Sequence, residues 1–223
     1  MDVIEAMTGR RSVRGFLPTE VPQATVEAIL DAASRAPSGS NIQPWKVYVV
    51  AGDARDRICH GMTAHREAHP QEETPQYQYY PVEWREPYIG RRRATGWGLY
   101  GVLGIGKGDR EAAFRQQLKN YDLFGAPVGL FFTLDADMEL GSWLDCGMFI
   151  QNVMLAARAH GLETCPQAAW VYHHEKLREL LPIPADEKLV CGMALGREDP
   201  AAPANAFTTE REPVAAFAAF EGF

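Results

Sequence analysis

Arg10-Arg11-Ser12-Val13-Arg14 places three guanidinium groups within five residues near the start of the chain. A loop that follows a predicted helix reads PSGSNIQPW from Pro37 to Trp45, and a late predicted strand ends at Gly196-Arg197. A planar ligand with a phosphate tail and a polyhydroxyl chain needs cations, small hydroxyl and amide side chains, and glycine turns. The three segments therefore predict one binding site for such a ligand, assembled from distant parts of the chain.

Capping residues and hydrophobic spacing predict a series of helices and strands. Asp2 and Glu5 form a capping box for a short helix that ends near Gly9. Pro22 begins a second helix that ends before Pro37. The other predicted elements are helices over 142–161 and 173–181 and strands over 45–51, 128–134 and 189–195. The basic run and the PSGSN segment therefore each follow the end of a helix.

Two segments carry apolar surface that has to be covered. The predicted helix that begins at Ser142, with Asp145 at the capping-box position, has almost no polar face before its terminator Gly161. A helix that is apolar nearly all round must be surrounded by a thick core or by a partner subunit. The tail after the last strand repeats apolar residues at a spacing of three, namely Val214, Phe217, Phe220 and Phe223. Because this tail is too short to form its own core, we expect it to pack on something else.

Residues 70–122 are predicted to be an irregular excursion that is rich in aromatic side chains. Two interpretations of this aromatic density remain open. The rings form either a packed cluster of their own or a lid that stacks on a planar substrate. The candidate lid residues are Tyr88, Trp97 and Tyr100.

Length and composition exclude several classes of protein. A length of 223 residues predicts one domain over 1–223. A composition of 46% hydrophobic and 23% charged residues is typical of a globular protein. A formal net charge of -7 disfavours nucleic-acid binding. No apolar run is long enough to span a membrane, and the acids of Met1 to Glu5 disfavour a signal peptide. We therefore expect a cytoplasmic protein that binds neither nucleic acid nor membrane.

Four further features of the sequence are set aside. Residues 101–108 approach a P-loop, but Gly108 stands where Ser or Thr is needed, so ATP binding is not expected. His65 and His69 stand at i and i+4 without an evident third ligand, and the four cysteines contain no C-x-x-C pair. No metal site is therefore expected. The pair His173-His174 is expected at the surface.

Four segments of the chain resemble, in the same order, the flavin-site segments of the nitroreductase family of FMN enzymes. They are RRSVR at 10–14, PSGSNIQPW at 37–45, CPQAAW at 165–170 and GMALGR at 192–197. The resemblance covers nearly the whole chain and implies an α+β fold of the nitroreductase type, with a mixed central sheet flanked by helices. It also implies a domain-swapped homodimer with FMN at the interface, in which the tail over 203–223 wraps around the other protomer.

The resemblance assigns roles to individual residues. Arg10 and Arg197 are implied to hold the FMN phosphate, with Ser12 on the ribityl and phosphate side. Arg14 is implied to lie by the pyrimidine edge of the flavin, where two-electron reduction adds negative charge. The full set of implied cofactor-binding residues is Arg10, Arg11, Ser12, Arg14, Pro37, Ser38, Gly39, Asn41, Pro166, Gln167, Ala168, Ala169, Gly196 and Arg197.

The backbone amides of Ala168 and Ala169 are implied to act in catalysis beside flavin N5, where an N–H donor stabilises the acceptor as hydride arrives. This chain departs from the family pattern in two places. Gly39 replaces a common serine, so a backbone contact replaces a side-chain contact, and CPQAAW lacks the glutamate that many relatives have. Since the flavin itself carries the hydride, no side-chain acid or base is required.

The implied activity is hydride transfer from NAD(P)H through tightly bound FMN to a planar, electron-poor acceptor by a ping-pong mechanism. A nitroaromatic is the expected substrate, with nitrobenzoate as the first candidate and quinones as further acceptors. One alternative is a reductive dehalogenase of halogenated phenols or tyrosines, in which Glu83, Arg85 or Glu86 would clamp a zwitterion. A second alternative is a non-catalytic FMN-binding protein.

Overall fold

The computed structural model describes residues 1–223, and it has the predicted α+β architecture. Its α-helices are α1 (Val3–Gly9), α2 (Gln23–Ala33), α3 (Gly52–Ala68), α4 (Tyr88–Val102), α5 (Arg110–Leu118), α6 (Leu140–Ala159) and α7 (His174–Leu180). Its strands are β1 (Lys46–Ala51), β2 (Val128–Asp135), β3 (Glu163–Gln167) and β4 (Glu187–Gly196). Short 3-10 helices cover Gly39–Asn41, Leu123–Gly125, Ala168–His173, Pro203–Ala206 and Val214–Ala216.

The four strands form one sheet in the order β1-β2-β4-β3. Every neighbouring pair is antiparallel, and Cys165 of β3 lies opposite Ala194 of β4. The sheet is therefore antiparallel rather than mixed. The N-terminal segment adds one parallel bridge at the edge of the sheet, between Ser12 and Thr164 of β3. This segment runs beside β3 over too few residues to form a strand of its own.

The sheet divides the core into two layers, because successive side chains of a strand point to opposite faces. Leu130 and Phe132 of β2 pack with α2 and α6 on one face, whereas Phe131 packs with α3 and α7 on the other. The first seven residues of β2 are all buried. Burial on both faces explains why this strand has a continuous apolar sequence instead of an alternating one.

Helix α6 begins two residues earlier than predicted, and its start has no side-chain cap. The Ser142 hydroxyl lies 3.4 Å from Met138 Sδ, and the Asp145 carboxylate accepts a hydrogen bond from the Gly39 amide at 3.2 Å. The predicted capping box is therefore wrong, because both side chains have partners elsewhere. The predicted end is confirmed, since Gly161 follows the helix with a φ of +68° in the left-handed region.

The longest irregular part of the excursion covers residues 70–87, and α4 and α5 form most of the remainder. Helix α4 was not predicted because none of its residues is buried, so its sequence has no apolar stripe. Helix α5 begins after Asp109, whose carboxylate accepts from the Ala112 amide at 2.9 Å. The candidate lid residues Tyr88, Trp97 and Tyr100 all lie on α4.

The other predicted helices and strands are confirmed to within a few residues. Asp2 caps α1 as expected, with the Glu5 amide donating to Asp2 Oδ1 at 2.9 Å, but the Glu5 side chain does not return the second bond of a capping box. Helix α3 and strand β3 are additional elements that hydrophobic spacing did not predict. None of the helices combines the length and the hydropathy needed to cross a bilayer.

Candidate functional site

The basic run lies beside β3 and the end of β4. The Val13 amide donates to the Thr164 carbonyl at 3.0 Å, and the Leu17 amide donates to the Arg197 carbonyl at 2.9 Å. Since β3 pairs with β4, these bonds bring the basic run, the CPQAAW segment and the end of GMALGR side by side. The structure thus assembles three of the four segments that resemble flavin-site segments.

Arg10 is a half-buried cation that forms no ion pair within the chain. Burial lowers the pKa of its guanidinium, and nearby Arg211 and Arg158 lower it further, whereas the carboxylate of Glu163 raises it. A partly desolvated cation beside two other cations is unfavourable until an anion binds. A phosphate group would provide that anion.

Arg158 and Arg211 complete this cluster, although the sequence analysis did not assign them to the site. Arg158 lies in the last turn of α6, where its Nη1 donates to the Ala6 carbonyl at 3.2 Å and its Nε lies 3.1 Å from Glu163. Arg211 lies in the exposed tail and donates only to oxygens of Thr209 and of its own neighbour. The sequence could have indicated Arg158, because this arginine interrupts an otherwise apolar helix. It could not have indicated Arg211, because a single arginine in an irregular tail has no distinguishing pattern.

Arg11 has one satisfied and one unsatisfied nitrogen. Its Nη2 forms an ion pair with Glu198 at 2.5 Å, and its Nη1 is buried without a hydrogen-bond partner. A buried donor without a partner costs free energy that a ligand oxygen can recover. Together with Arg10, this orphaned donor makes the donor set suitable for the phosphate and ribityl oxygens of a flavin nucleotide.

Arg14 also lacks a carboxylate partner. Its Nη1 donates to the Ser12 carbonyl at 3.3 Å, and its backbone amide donates to Asn205 Oδ1 at 2.7 Å. Burial raises the pKa of the neighbouring Cys165 thiol to about 11, although Arg14 and Ser12 act to lower it. The thiol is therefore protonated at neutral pH and does not serve as a nucleophile.

Gly196 ends β4, and Arg197 follows it directly. The Arg197 side chain is exposed, its guanidinium lies near Gly161, and it is not among the charges that shift the pKa of Arg10. Arg211 of the tail is among those charges. Gly196 is buried, and a Cβ there would lie 2.7 Å from the Pro127 ring, so packing accounts for this glycine.

The CPQAAW segment contains the end of β3 and the start of a 3-10 helix. Gln167 is buried, and its Nε2 donates to the Asn120 carbonyl at 2.7 Å, whereas its Oε1 has no hydrogen-bond partner. Ala168 and Ala169 open the 3-10 helix, so their amides have no carbonyl partner within it. Pro166 and both alanines are partly exposed. The two amides are thus available as donors.

The fourth segment, around Pro37 to Asn41, is not joined to the other three by any hydrogen bond. It is fastened to α6 instead, where Gly39 donates to Asp145. Ser40, Asn41 and Gln43 have φ values of 51°, 56° and 50°, which are costly for residues with a side chain. Within one chain, this strained loop presents its polar groups outward, while Ser38 is partly covered.

Aromatic side chains of the excursion divide into two groups. Tyr79, Tyr80 and Trp84 contact one another, and the Arg92 guanidinium lies 4.6 Å from the Trp84 ring and 5.6 Å from the Tyr80 ring. On α4, Tyr88 and Trp97 are 46% and 67% exposed, and Tyr100 is partly buried. The packed-cluster interpretation therefore fits the first group, and free aromatic surface remains on α4.

A groove of about 1430 Å³ separates α4 from the C-terminal tail. Tyr88 and Arg91 line one side, and Phe207 and Phe217 line the other. Arg91 pairs with Glu212 of the tail at 2.9 Å. The lid candidates and the tail that carries Arg211 are therefore neighbours.

Histidines differ from expectation in two respects. His173 is buried rather than at the surface, because its ring packs edge-on against Tyr121 and His65. His65 and His69 have a third potential metal ligand that the sequence did not indicate, since the ligand atoms of both histidines and Glu72 lie within 4.8 Å of one another. This cluster belongs to the end of α3 and not to the basic run.

Comparison with known proteins is consistent with this geometry. The model of the nitroreductase family matches residues 7–197. The chain is 40% identical over 208 residues to the 4-nitrobenzoate reductase of Nocardioides sp. (strain LMS-CY), covering 92% of this chain and 84% of that protein. It is 39% identical over 211 residues to the nitrobenzene nitroreductase of Ectopseudomonas oleovorans, covering 95% and 93%.

A similar structure is that of the FMN and NADPH-dependent nitroreductase NfnB from Sphigopyxis sp. strain HMH. It superposes with a TM-score of 0.96 at 36% sequence identity, and the match covers 100% of both chains. The tail over 203–223, which lies beyond the residues matched by the family model, is therefore included in this likeness.

Proposed function

The chain belongs to the nitroreductase family, and from this premise we propose that it is an FMN-dependent oxidoreductase that reduces nitroaromatic compounds with NAD(P)H. Relatives named for 4-nitrobenzoate and nitrobenzene, and a similar structure named for FMN and NADPH, support the substrate class and the cofactors. Nitrobenzoate is the first substrate to test, and quinones are further candidates.

One observation supports the cofactor site more than any other. Arg10 is half-buried and forms no ion pair, and the charges of Arg211 and Arg158 lower its pKa, whereas the carboxylate of Glu163 raises it. Folding alone does not favour such a cluster, whereas a dianionic phosphate would relieve its repulsion and accept bidentate hydrogen bonds. We assign the FMN phosphate to Arg10 and Arg211, with Arg158 adding positive potential. Arg197, which ends the GMALGR segment, remains a further candidate for the phosphate.

The other site residues act on the rest of the nucleotide. Arg11 and Ser12 would bind ribityl and phosphate oxygens, and Arg14 would lie by the pyrimidine edge. When bound, FMN accepts hydride from NAD(P)H and passes it on to the nitroaromatic acceptor. The amides of Ala168 and Ala169 would donate hydrogen bonds at N5. The buried Cys165 thiol stays protonated and has no part in proton transfer.

We propose that the active form is a homodimer in which the loop over 37–41 completes the site of the other protomer. Two features support this proposal. The loop is strained, outward-facing and separate from the arginines of its own chain. Large apolar side chains are exposed on α1, on the start of α6 and along the tail, including Ile4 at 63%, Leu140 at 84% and Phe223 at 106%. The tail over 203–223 would cover the partner's apolar surface.

The excursion over 70–122 is proposed to form the substrate lid, with Trp97 and Tyr88 as its stacking surfaces. Their exposure supports this role. The dehalogenase alternative has less support, because the Arg85 guanidinium already lies over the Tyr88 ring at 5.2 Å. All four cysteines are free, in keeping with the proposed cytoplasmic location.

Two half-reactions measured without oxygen test the proposal. The purified protein should contain FMN, lose its yellow colour on addition of NADPH, and regain it on addition of 4-nitrobenzoate. A protein that binds FMN but is not reduced by NADPH or NADH would be a binding protein and not a reductase. Reoxidation by halogenated phenols but not by nitroaromatics would favour the dehalogenase.

A further inference from the structure

Asn205 is a buried amide that joins the C-terminal tail to the basic run. It lies in the 3-10 helix Pro203–Ala206 and is 6% exposed. Its Oδ1 accepts from the Arg14 amide at 2.7 Å, and its Nδ2 donates to the carbonyls of Gly15 at 2.8 Å and Asp199 at 2.9 Å. The side chain therefore uses its acceptor and both of its donors on backbone groups.

These bonds fix the backbone on both sides of the Arg14 Cα atom. The packing is close as well, because a Cβ on Gly15 would overlap the Ala202 side chain. A carboxamide is suited to this place, since it offers an acceptor and two donors in one plane. An aspartate at position 205 would replace the donating Nδ2 with a carboxylate oxygen, which would face the carbonyl oxygens of Gly15 and Asp199 without a hydrogen to donate.

The Arg14 side chain has little else to hold it. It forms no ion pair, and its one hydrogen bond, to the Ser12 carbonyl, is 3.3 Å long. The backbone position of Arg14 is therefore the main constraint on where its guanidinium can reach. That backbone is held by Asn205.

We propose that Asn205 is a positioning residue of the flavin site, which acts through Arg14 by fixing the backbone that aims its guanidinium. This inference rests on the proposed FMN function. It also makes the tail part of the cofactor site, since Arg211 follows Asn205 by six residues in the same segment. The two routes, through Arg14 and through Arg211, can be separated by experiment.

The first measurement is the Kd of the apoprotein for FMN, followed by flavin fluorescence. Asn205→Ala should weaken FMN binding roughly tenfold, as expected when a buried hydrogen-bonded group is lost and its partners are left unsatisfied. Asn205→Asp keeps the shape and the acceptor, so it tests the same point if the alanine variant does not fold, and it should weaken binding as well. The matched control is Asn152→Ala, whose amide donates to the Ala33 carbonyl of α2 at 3.4 Å. This control should bind FMN like the wild type.

Double variants identify the route. If Asn205 acts through Arg14, Asn205→Ala should add less than about a threefold loss of FMN affinity on top of Arg14→Ala, because the two effects are not additive. When Asn205→Ala is added to Arg211→Ala, it should weaken FMN binding by the same factor as it does in the wild type. The flavin midpoint potential should fall in both Asn205→Ala and Arg14→Ala, because less positive charge then faces the reduced flavin. The opposite pattern of additivity would overturn the proposal.

Hydrogen exchange provides a readout that needs no cofactor. In the apoprotein, the Arg14 amide should exchange faster in Asn205→Ala than in the wild type or in Asn152→Ala. Unchanged exchange together with unchanged FMN affinity in Asn205→Ala would refute the inference. If the wild type bound no FMN, the proposed function would fail instead, and the positioning of a flavin-site arginine would fail with it, whatever the exchange result.

Discussion

Replacing Arg10 with alanine should separate cofactor binding from stability. A guanidinium can donate two hydrogen bonds to one phosphate, and a hydrogen bond to a charged group contributes about 1.5–3 kcal/mol. Because Arg10 is only half-buried, we use the lower value for each bond, which gives about 3 kcal/mol for the pair. This corresponds to a loss of roughly 150-fold in FMN affinity.

The effect on the apoprotein should be small or opposite in sign. Arg10 forms no ion pair, and its cationic neighbours Arg158 and Arg211 repel it. Its removal should therefore leave the free energy of unfolding of the apoprotein unchanged or slightly higher, within about 0.5 kcal/mol. Urea denaturation of the apoprotein measures this quantity.

Riboflavin provides the sharpest control, because it lacks the phosphate. Arg10→Ala should weaken binding of FMN and leave binding of riboflavin unchanged in fluorescence titrations. Arg57→Ala, which removes an exposed arginine of α3, should change neither affinity. The reasoning is refuted if Arg10→Ala binds FMN as tightly as the wild type, or if FMN and riboflavin lose affinity equally.

Three further predictions concern the core, a buried histidine and the lid. Gly192→Ala should lower the free energy of unfolding, measured by urea denaturation, by about 1–3 kcal/mol, because its Cβ would overlap the buried Trp170 ring. The control is Gly147→Ala on α6, whose Cβ meets no atom within 4 Å, so it should leave the free energy of unfolding unchanged or raise it. Burial, with smaller contributions from nearby positive charges, lowers the pKa of His173 from 6.5 to about 4. The folded state therefore favours the neutral ring, so His173 contributes stability above pH 6.5 that is lost as the pH falls toward 4. The urea midpoint should fall over that range, and His173→Gln should flatten the fall. Trp97→Ala should raise KM for nitrobenzoate about three- to tenfold, as expected for a lost aromatic contact, without changing FMN affinity. An unchanged KM would exclude Trp97 from the lid.

Local sequence patterns predicted the elements that bury a regular apolar face. Strand β2 and helix α2 have such faces, and their predicted bounds are close to the observed ones. Helix α3 buries Ile58, Cys59 and Met62 within a strongly charged sequence, so its apolar face is too narrow to detect. Helix α4 buries no residue at all, and its position depends on contacts with the tail, which no local pattern encodes.

The site was predictable where it lies on regular elements. The basic run, β3 and the end of β4 are neighbours because of strand pairing, and the motifs that resemble flavin segments mark all three. Arg197 was chosen for the phosphate because it ends one of those motifs. Arg211, a further cation whose charge lowers the pKa of Arg10, was missed because it lies in the irregular tail, and the path of such a tail cannot be deduced from residue spacing. Asn205 was missed for the same reason.

A crystal structure of the FMN-loaded protein would test the central claim most directly. It should show the phosphate in hydrogen-bond contact with Arg10 and the isoalloxazine ring between Arg14 of one protomer and the partner's loop over 37–41. A flavin bound away from Arg10, or a site built from a single protomer without that loop, would contradict the account.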